Sequence, residues 1–413
     1  MSSIEIRHFE ADDKTYFTTK DLRFNHNTLI TPFKSLDFND LKSLSDISSL
    51  EKKWLDKNPV IEKSHIIKKD TFLKENDKPD APFLSRYYDS YKRIPVLSEK
   101  SVINTLTLSF NPCKIPDYED SLDSFLDIYH GRSDILFVPN LKVKQYDKEI
   151  EKSDIAIQTD EYLDYVNCAY DSLKFRNSKP IFVPVSTRYG MNPSAELIEE
   201  MLNSGYRYFW FDLEGRSTTR IAPLIRRFHR VVDKKGLGDK VVLYGSNIRR
   251  EINPNKKDSA SAASDILATP IGFDFVGVNR ETQRSWFGGI YTPPPPEVTI
   301  QHKGRLFDYE NYEYVKFSDF KSTNDILQRY GVGVRELTGK PAFYSDFINS
   351  YELNMEFERQ RCAMQYDNSL KDYLGSKSSV TDKVLKTFDK AQISSKDKTE
   401  SKPKSNKTLN DFM

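Results

Sequence analysis

Cysteine is scarce in this 413-residue chain. Cys113, Cys168 and Cys362 stand far apart with no CxxC pair, which excludes a disulfide framework and predicts reduced thiols. Histidine is scarce too, and none of the six sits at a ligand spacing with cysteine or carboxylate, so no metal is expected. No stretch of about 18 apolar residues occurs, and the opening MSSIEIRHFEADDK has acids but no apolar core. Neither a membrane span nor a signal peptide is expected, and the reading is a cytoplasmic protein with no membrane partner. A glycine-rich GxGxxG turn after the first apolar strand is missing, as is GxxxxGK[ST], so dinucleotide and P-loop functions lose their main support. The chain also lacks a net charge of one sign, with 62 Lys+Arg against 61 Asp+Glu. That balance hides an asymmetry: Ser376 to Met413 holds nine lysines against five acids, so a slightly acidic body ends in a basic tail.

Aromatic residues, by contrast, are plentiful: 23 Tyr and 26 Phe exclude disorder throughout. The length allows two or three domains, or one barrel of about 250 residues with additions. Short apolar runs alternate with helical patterns through the middle of the chain. ILFVPN (Ile135 to Asn140) precedes a helical spacing of Tyr162, Val166, Tyr170 and Leu173. IFVPVS (Ile181 to Ser186) precedes a helix that Asn192 or Ser194 could cap and Gly205 stops. YRYFWFDLEG (Tyr206 to Gly215) precedes a helix over 218–235 closed by Gly236. KVVLYGSN (Lys240 to Asn247) and GFDFVGVN (Gly272 to Asn279) follow. Such alternation predicts parallel βαβ units, and the near-continuous apolar character of the runs predicts burial on both sheet faces. A (β/α)8 TIM-type barrel is the preferred α/β architecture, ahead of a doubly wound sheet. The expected organisation is a strand-rich antiparallel N-terminal extension leading into the barrel over 1–80, the barrel over 81–320, a helical segment over 321–375, and a disordered Ser/Lys-rich tail over 376–413. The PPPP run at 293–296 reads as a stiff surface loop.

In a barrel, chemistry sits where the polar residues that end each strand converge. Those residues are Ser98 and Glu99 after IPVL, Asn140, Ser186, Asp212 and Glu214, Ser246 and Asn247, then Asp274 and Asn279. Carboxylates, amides and hydroxyls suit glycosyl chemistry, in which one carboxylate meets the anomeric carbon and another moves a proton. Asp212 and Glu214 could equally cap a helix or pair with arginine. The helix with Arg220, Arg226, Arg227, Arg230, Lys234 and Lys235 could face phosphates, or could be an ordinary solvated face.

Taken in order, the segments resemble the tRNA-guanine transglycosylase superfamily, particularly its archaeal branch. DDKTYFTTKDLRFNHNTLITPFKSLDF is similar to that family's opening strand pair and "TP". RIPVLSEK stands where the family has TDSGGFQ, and FLDIYHGRSDILFVPNLKV is similar to its FQxxxGSDI segment. IFVPVS with SAELIEEMLNSGYRYFWFDLEG resembles the GVVQG strand, helix and GGLAVGE strand, and SDILATPIGFDFVGV resembles the nucleophile-bearing strand. The likeness runs from about Ile4 to Gly375. It implies a base-exchanging glycosyltransferase on tRNA or, as in members that insert 7-deazaguanines, on DNA. No organic cofactor is implied. Carried across, the acid/base aspartate falls on Glu99 and the base-recognising glutamine on Ser186. The nucleophile falls on Gly277, leaving Asp274 or Asp212 as nucleophile candidates. Asn140, Ser186, Glu214 and Asn279 would line the substrate pocket. The family's CxCxxC…H zinc site is absent. The departure at Gly277 motivates the alternative, a catalytically inactive nucleic-acid-binding or accessory subunit. Such a subunit would pair with a paralogue as a heterodimer, or with itself as a homodimer. Finally, NKTLNDFM resembles the sliding-clamp-binding box, with Leu409, Phe412 and Met413 as anchors on a basic tether.

Overall fold

The computed structural model describes residues 4–24, 27–41, 55–77, 100–131, 133–147, 152–176, 178–252, 259–280, 304–316, 341–366 and 369–390. The chain opens with β1 (Glu5–Ala11), β2 (Thr18–Phe24) and β3 (Asn27–Ile30), an antiparallel meander of the kind the alternating N-terminal sequence predicts. Next come β4 (Phe33–Lys34), β5 (Leu36–Asp37), the single turn α1 (Phe38–Leu41), β6 (Val60–Ile67), α2 (Lys69–Asp77) and β7 (Ser101–Leu108). Helix α3 (Tyr118–His130) leads to β8 (Leu136–Phe137) and β9 (Asn140–Leu141). A hairpin of β10 (Lys144–Asp147) and β11 (Lys152–Ile155) follows, then α4 (Thr159–Arg176). Strand–helix alternation continues with β12 (Ile181–Pro184), α5 (Met191–Asn203), β13 (Tyr208–Asp212), α6 (Thr218–Lys234) and β14 (Val242–Ser246). After β15 (Ala260–Ala262) come β16 (Phe275–Val276), the hairpin β17 (Arg305–Asp308) and β18 (Glu313–Lys316), and the helices α7 (Pro341–Tyr366), α8 (Leu370–Gly375) and α9 (Asp382–Leu385).

Two parallel sheets carry the fold. One has six strands in the order β4-β16-β14-β13-β12-β8, the other four in the order β5-β6-β7-β9. Only Ser35 separates β4 from β5, and only Val138 and Pro139 separate β8 from β9. A small antiparallel sheet, β15-β18-β17, packs beside them.

The period of two along each strand sorts its side chains into separate cores. Phe33, Val60, Ile103, Phe137, Phe182, Trp210, Tyr244 and Phe275 form one buried cluster, drawn from both sheets and joined by Ile4, Leu22 and Leu29 of the N-terminal segment. The alternate residues, among them Leu36, Ile61, Val102, Leu136, Val183, Phe209, Leu243 and Val276, pack outward against helix residues such as Phe125, Val166, Ile198 and Phe228. Both faces of the sheets are therefore buried, as the apolar runs predict.

Some local expectations are corrected. Helix α5 starts one residue after Gly190, with neither Asn192 nor Ser194 at its cap. It does stop at Gly205, whose φ of 93° only glycine adopts freely. Residues 376–390, beyond Gly375, are folded onto the body of the protein. Phe388 is fully buried, and the Lys390 amide donates to the Lys14 carbonyl at 2.9 Å, so the first part of the presumed tail is a strap over the N-terminal turn. Within 1–80, read as extension and barrel entry, the parallel strands begin with β4 directly after Thr31-Pro32. The PPPP run lies outside the described residues. Among the described residues, no helix is long and apolar enough to cross a membrane.

Candidate functional site

The polar residues gather where the parallel strands end. Trp210 is buried within β13, and its indole N–H donates to Ser246 Oγ of β14 at 2.7 Å. One step further along the same face comes Asp212, also buried. Its Oδ1 accepts from the Glu214 amide (2.9 Å) and from Asn247 Nδ2 (2.8 Å), and its Oδ2 accepts from Thr107 Oγ1 of β7 (3.0 Å). Strands β7 and β13 belong to different sheets, so that last bond crosses the interior.

The two residues that shape this corner have left-handed backbone, Glu214 at φ 50° and Asn247 at φ 53°. Non-glycine residues in that region cost on the order of 1–3 kcal/mol and persist where surroundings fix them. Here Gly215 N–H bonds the Asn247 carbonyl at 2.7 Å, locking the two loops together.

Charge is laid around Asp212 asymmetrically. Glu214 accepts from Arg188 through both Nε (2.5 Å) and its terminal nitrogen, and Arg216 lies at 4.0 Å. Burial raises the Asp212 pKa, and the neighbouring Glu214 charge raises it further, against the bonds from the Glu214 amide and Asn247. Arg188 also ties in Ser186, because its amide donates to Ser186 Oγ at 3.3 Å. Asn140 receives the Tyr162 hydroxyl at 3.0 Å, and the same hydroxyl reaches the Pro184 carbonyl at 3.2 Å. Asn279 bridges from the segment just after β14 to the 3-10 turn Asp265–Ala268, donating to the Ile248 carbonyl (3.3 Å) and to Asp265 (2.8 Å).

A second carboxylate lies beneath the strand ends. Glu62 of β6 is fully buried and accepts from Thr105 Oγ1 (2.7 Å), from the Val278 amide (2.7 Å) and from the Tyr244 hydroxyl. Burial raises its pKa, opposed by those three bonds and by the nearby Lys34 ammonium. Lys34 donates to the Gly277 carbonyl, and burial lowers its pKa against the attraction of Asp265 and Glu62.

No family model matches this sequence, and no curated protein matches it.

The structure thus brings Asp212, Glu214, Ser186, Asn140 and Asn279 to one end of the parallel strands. Asp274 is elsewhere. It precedes β16 at the amino end of the strands, where its carboxylate accepts from Lys20 Nζ at 2.7 and 2.8 Å, from Thr18 Oγ1 at 3.1 Å and from the Leu243 amide at 2.9 Å. That carboxylate clamps the N-terminal meander to the sheet, and the nucleophile reading of Asp274 is corrected accordingly. Glu99, Leu409, Phe412 and Met413 lie outside the described residues.

Sequence reasoning missed Glu62, Lys34, Thr107 and Arg188. Glu62 and Thr107 were signalled only by alternation, since Val60, Glu62 and Ser64 share a face, as do Ile103, Thr105 and Thr107, and Lys34, on the opposite face from Phe33, carried no such signal. Gly277 faces inward with Phe275, and a Cβ built on it would lie 2.6 Å from Glu62 Oε2 and 2.7 Å from the Tyr244 oxygen. The carboxylate of β6 therefore fills the space that a side chain on residue 277 would need.

Chemically, the arrangement offers a buried carboxyl with raised proton affinity beside a carboxylate held by arginine.

Proposed function

We propose that the two parallel sheets form one closed (β/α)8 barrel whose mouth performs base exchange on a polynucleotide, in the manner of the tRNA-guanine transglycosylases. Closure is supported by the near-continuity of β4 with β5 and of β8 with β9. It is supported also by the parallel bridge Ile103–Ile135 and by the interior bonds Thr107–Asp212 and Tyr244–Glu62. The observation that carries the function is the Asp212–Glu214 pair at the carboxyl ends of the strands, where barrel enzymes hold their catalytic groups.

In this reading Asp212 gives its proton to the departing base as the C1′–N bond breaks. The Glu214 carboxylate takes the anomeric carbon or its developing positive charge. The incoming base then loses its ring N–H proton to Asp212 and bonds to C1′, so no oxidant or cofactor enters the balance. Thr107 suits the cycle because its hydroxyl can rotate to donate to the carboxylate or accept from the acid. The target base must first leave its stack, at a cost of a few kcal/mol. Ser186, Asn140 and Asn279 line the pocket, and Glu99 remains the second acid/base candidate. The clamp-like anchors Leu409, Phe412 and Met413 favour DNA as the polymer.

The inactive-subunit reading, alone or paired with itself or a paralogue, is favoured by one observation: Glu62 and Tyr244 leave no room for a carboxylate on Gly277. The test is transfer of labelled guanine and labelled 7-deazaguanine into bulk tRNA and duplex DNA, by wild type and Asp212→Asn. Incorporation by wild type, reduced at least a hundredfold in the variant, is expected. Binding without incorporation would favour the inactive subunit.

A further inference from the structure

Helix α6 is the wall element directly after Asp212 and Glu214, and its charge is of one sign. In 17 residues it carries Arg220, Arg226, Arg227, Arg230 and Lys234 against the single acid Asp233. Of the three walls directly before it, α3 has four acids and α5 three, neither with a lysine or arginine, and α4 has four acids against Lys174 and Arg176. Solvated surfaces of neutral proteins ordinarily intersperse the two signs, and a single-sign face creates a steering field. Arg220, Arg227, Arg230 and Lys234 are exposed and Arg226 is half-buried. Among the described residues none of the five has an ion-pair partner, whereas Lys235, just past the helix, reaches Glu199 of α5 at 3.9 Å.

The spacing is that of a rail. Residues seven apart on a helix lie about 10 Å apart and nearly in line, so Arg220, Arg227 and Lys234 form one row of about 20 Å. Arg230 sits beside that row. The upper end of the row adjoins the candidate site, because Arg216, four residues before Arg220, lies at 4.0 Å from Glu214 and donates to the Thr187 carbonyl at 2.7 Å. The inner face of the helix is fixed by Ile221, Leu224, Ile225, Phe228 and Val232, so the cations have no freedom to turn inward.

We propose that the outer face of α6 binds the phosphate backbone of the polynucleotide strand that flanks the base held in the mouth. The proposal rests on the base-exchange reading for the identity of the polyanion. The acidic α3–α5 side repels the same polymer, so the charge division sets the direction in which the strand leaves the mouth.

Binding of fluorescently labelled duplex DNA and of bulk tRNA by the full chain across a salt series tests this. The variants are Arg227→Gln/Arg230→Gln and, separately, Lys234→Gln, each checked for native circular dichroism. Each phosphate contact adds about 0.9 to the slope of log affinity against log salt on duplex. The double variant should therefore lose about two in slope and roughly tenfold or more in affinity, and Lys234→Gln about one in slope. Wild-type binding with unchanged slopes in both variants would overturn the rail and leave the base-exchange reading standing. Failure of wild type to bind either polymer would overturn both readings. Binding to vesicles of anionic phospholipid in place of nucleic acid, lost in the same variants, would overturn the polynucleotide assignment.

Discussion

A methyl group at position 277 would meet a carboxylate, a phenol and the Gly245 carbonyl oxygen, at 2.6, 2.7 and 3.0 Å. Two of these are side-chain atoms locked by buried hydrogen bonds, so neither gives way cheaply. Gly277→Ala is expected to destabilise the protein by roughly 1–3 kcal/mol, the range for overpacking a filled core. A urea unfolding midpoint against wild type checks it, and an unchanged midpoint would mean that Glu62 is free to move. Gly272 makes the same point: its φ is 103° and a Cβ there would run into the His229 ring. Neither requirement was legible in the sequence, because each is set by a residue far away in the chain. Asp212 and Glu214 were legible, since polar residues ending an apolar run are local. Asp274 looked equivalent to them, but it precedes its strand, and Lys20, 254 residues away, determines what it does.

At the scale of elements, the Lys20–Asp274 pair holds β2 against the start of β14 and β16, with Lys20 also donating to the Val241 carbonyl at 2.8 Å. Both side chains are nearly inaccessible, at 4% and 0% exposure. Removing one partner of a buried pair leaves an uncompensated charge and typically costs 3–5 kcal/mol, whereas replacing both by apolar groups is often close to neutral. Lys20→Met is therefore expected to lose about that much, and Lys20→Met/Asp274→Leu to recover most of it. A double-mutant cycle from denaturant unfolding reads the difference, and a double variant as unstable as Lys20→Met would show that packing rather than charge is lost. The elements themselves were largely readable. IFVPVS, YRYFWF, KVVLYG and GFDFVG are strands because both of their faces are apolar, and the helices between them carry helical spacing ended by glycine. VIEKSHII escaped because Glu62 and Lys63 are both buried in it, so the enclosed first half of the strand carries charges where its pattern should be apolar.

The molecule as a whole encloses ionisable groups whose pKa values move in opposite directions, and their balance sets its response to acid. His130 is buried and His229 is half-buried with its Nε2 enclosed, and desolvation holds their pKa near 4 and near 3 in the folded protein, against 6.5 when free. The folded form binds fewer protons, so their stabilisation is complete above about pH 6.5 and is lost as pH falls toward 4 and 3. At 1.36 kcal/mol per unit, each contributes about 3–5 kcal/mol across that window. Asp265 works against them. Burial raises it from 3.8 to about 6, opposed by Lys34 and by the Tyr314 and Asn279 bonds, so its contribution is complete below about pH 3.8 and lost as pH rises through 6. Asp265→Asn keeps an acceptor for Tyr314 and Asn279 but has no charge to bury. Relative to wild type it should therefore gain about 3 kcal/mol between pH 4 and pH 7. His229→Phe retains the stack on Tyr16, whose ring lies 4.7 Å away, and should flatten the loss of stability between pH 6.5 and 3. Urea midpoints measured across that range separate the two, because the Asp265 variant departs from wild type on the neutral side and the His229 variant on the acid side. Parallel curves for all three proteins would mean that neither group titrates before the chain opens.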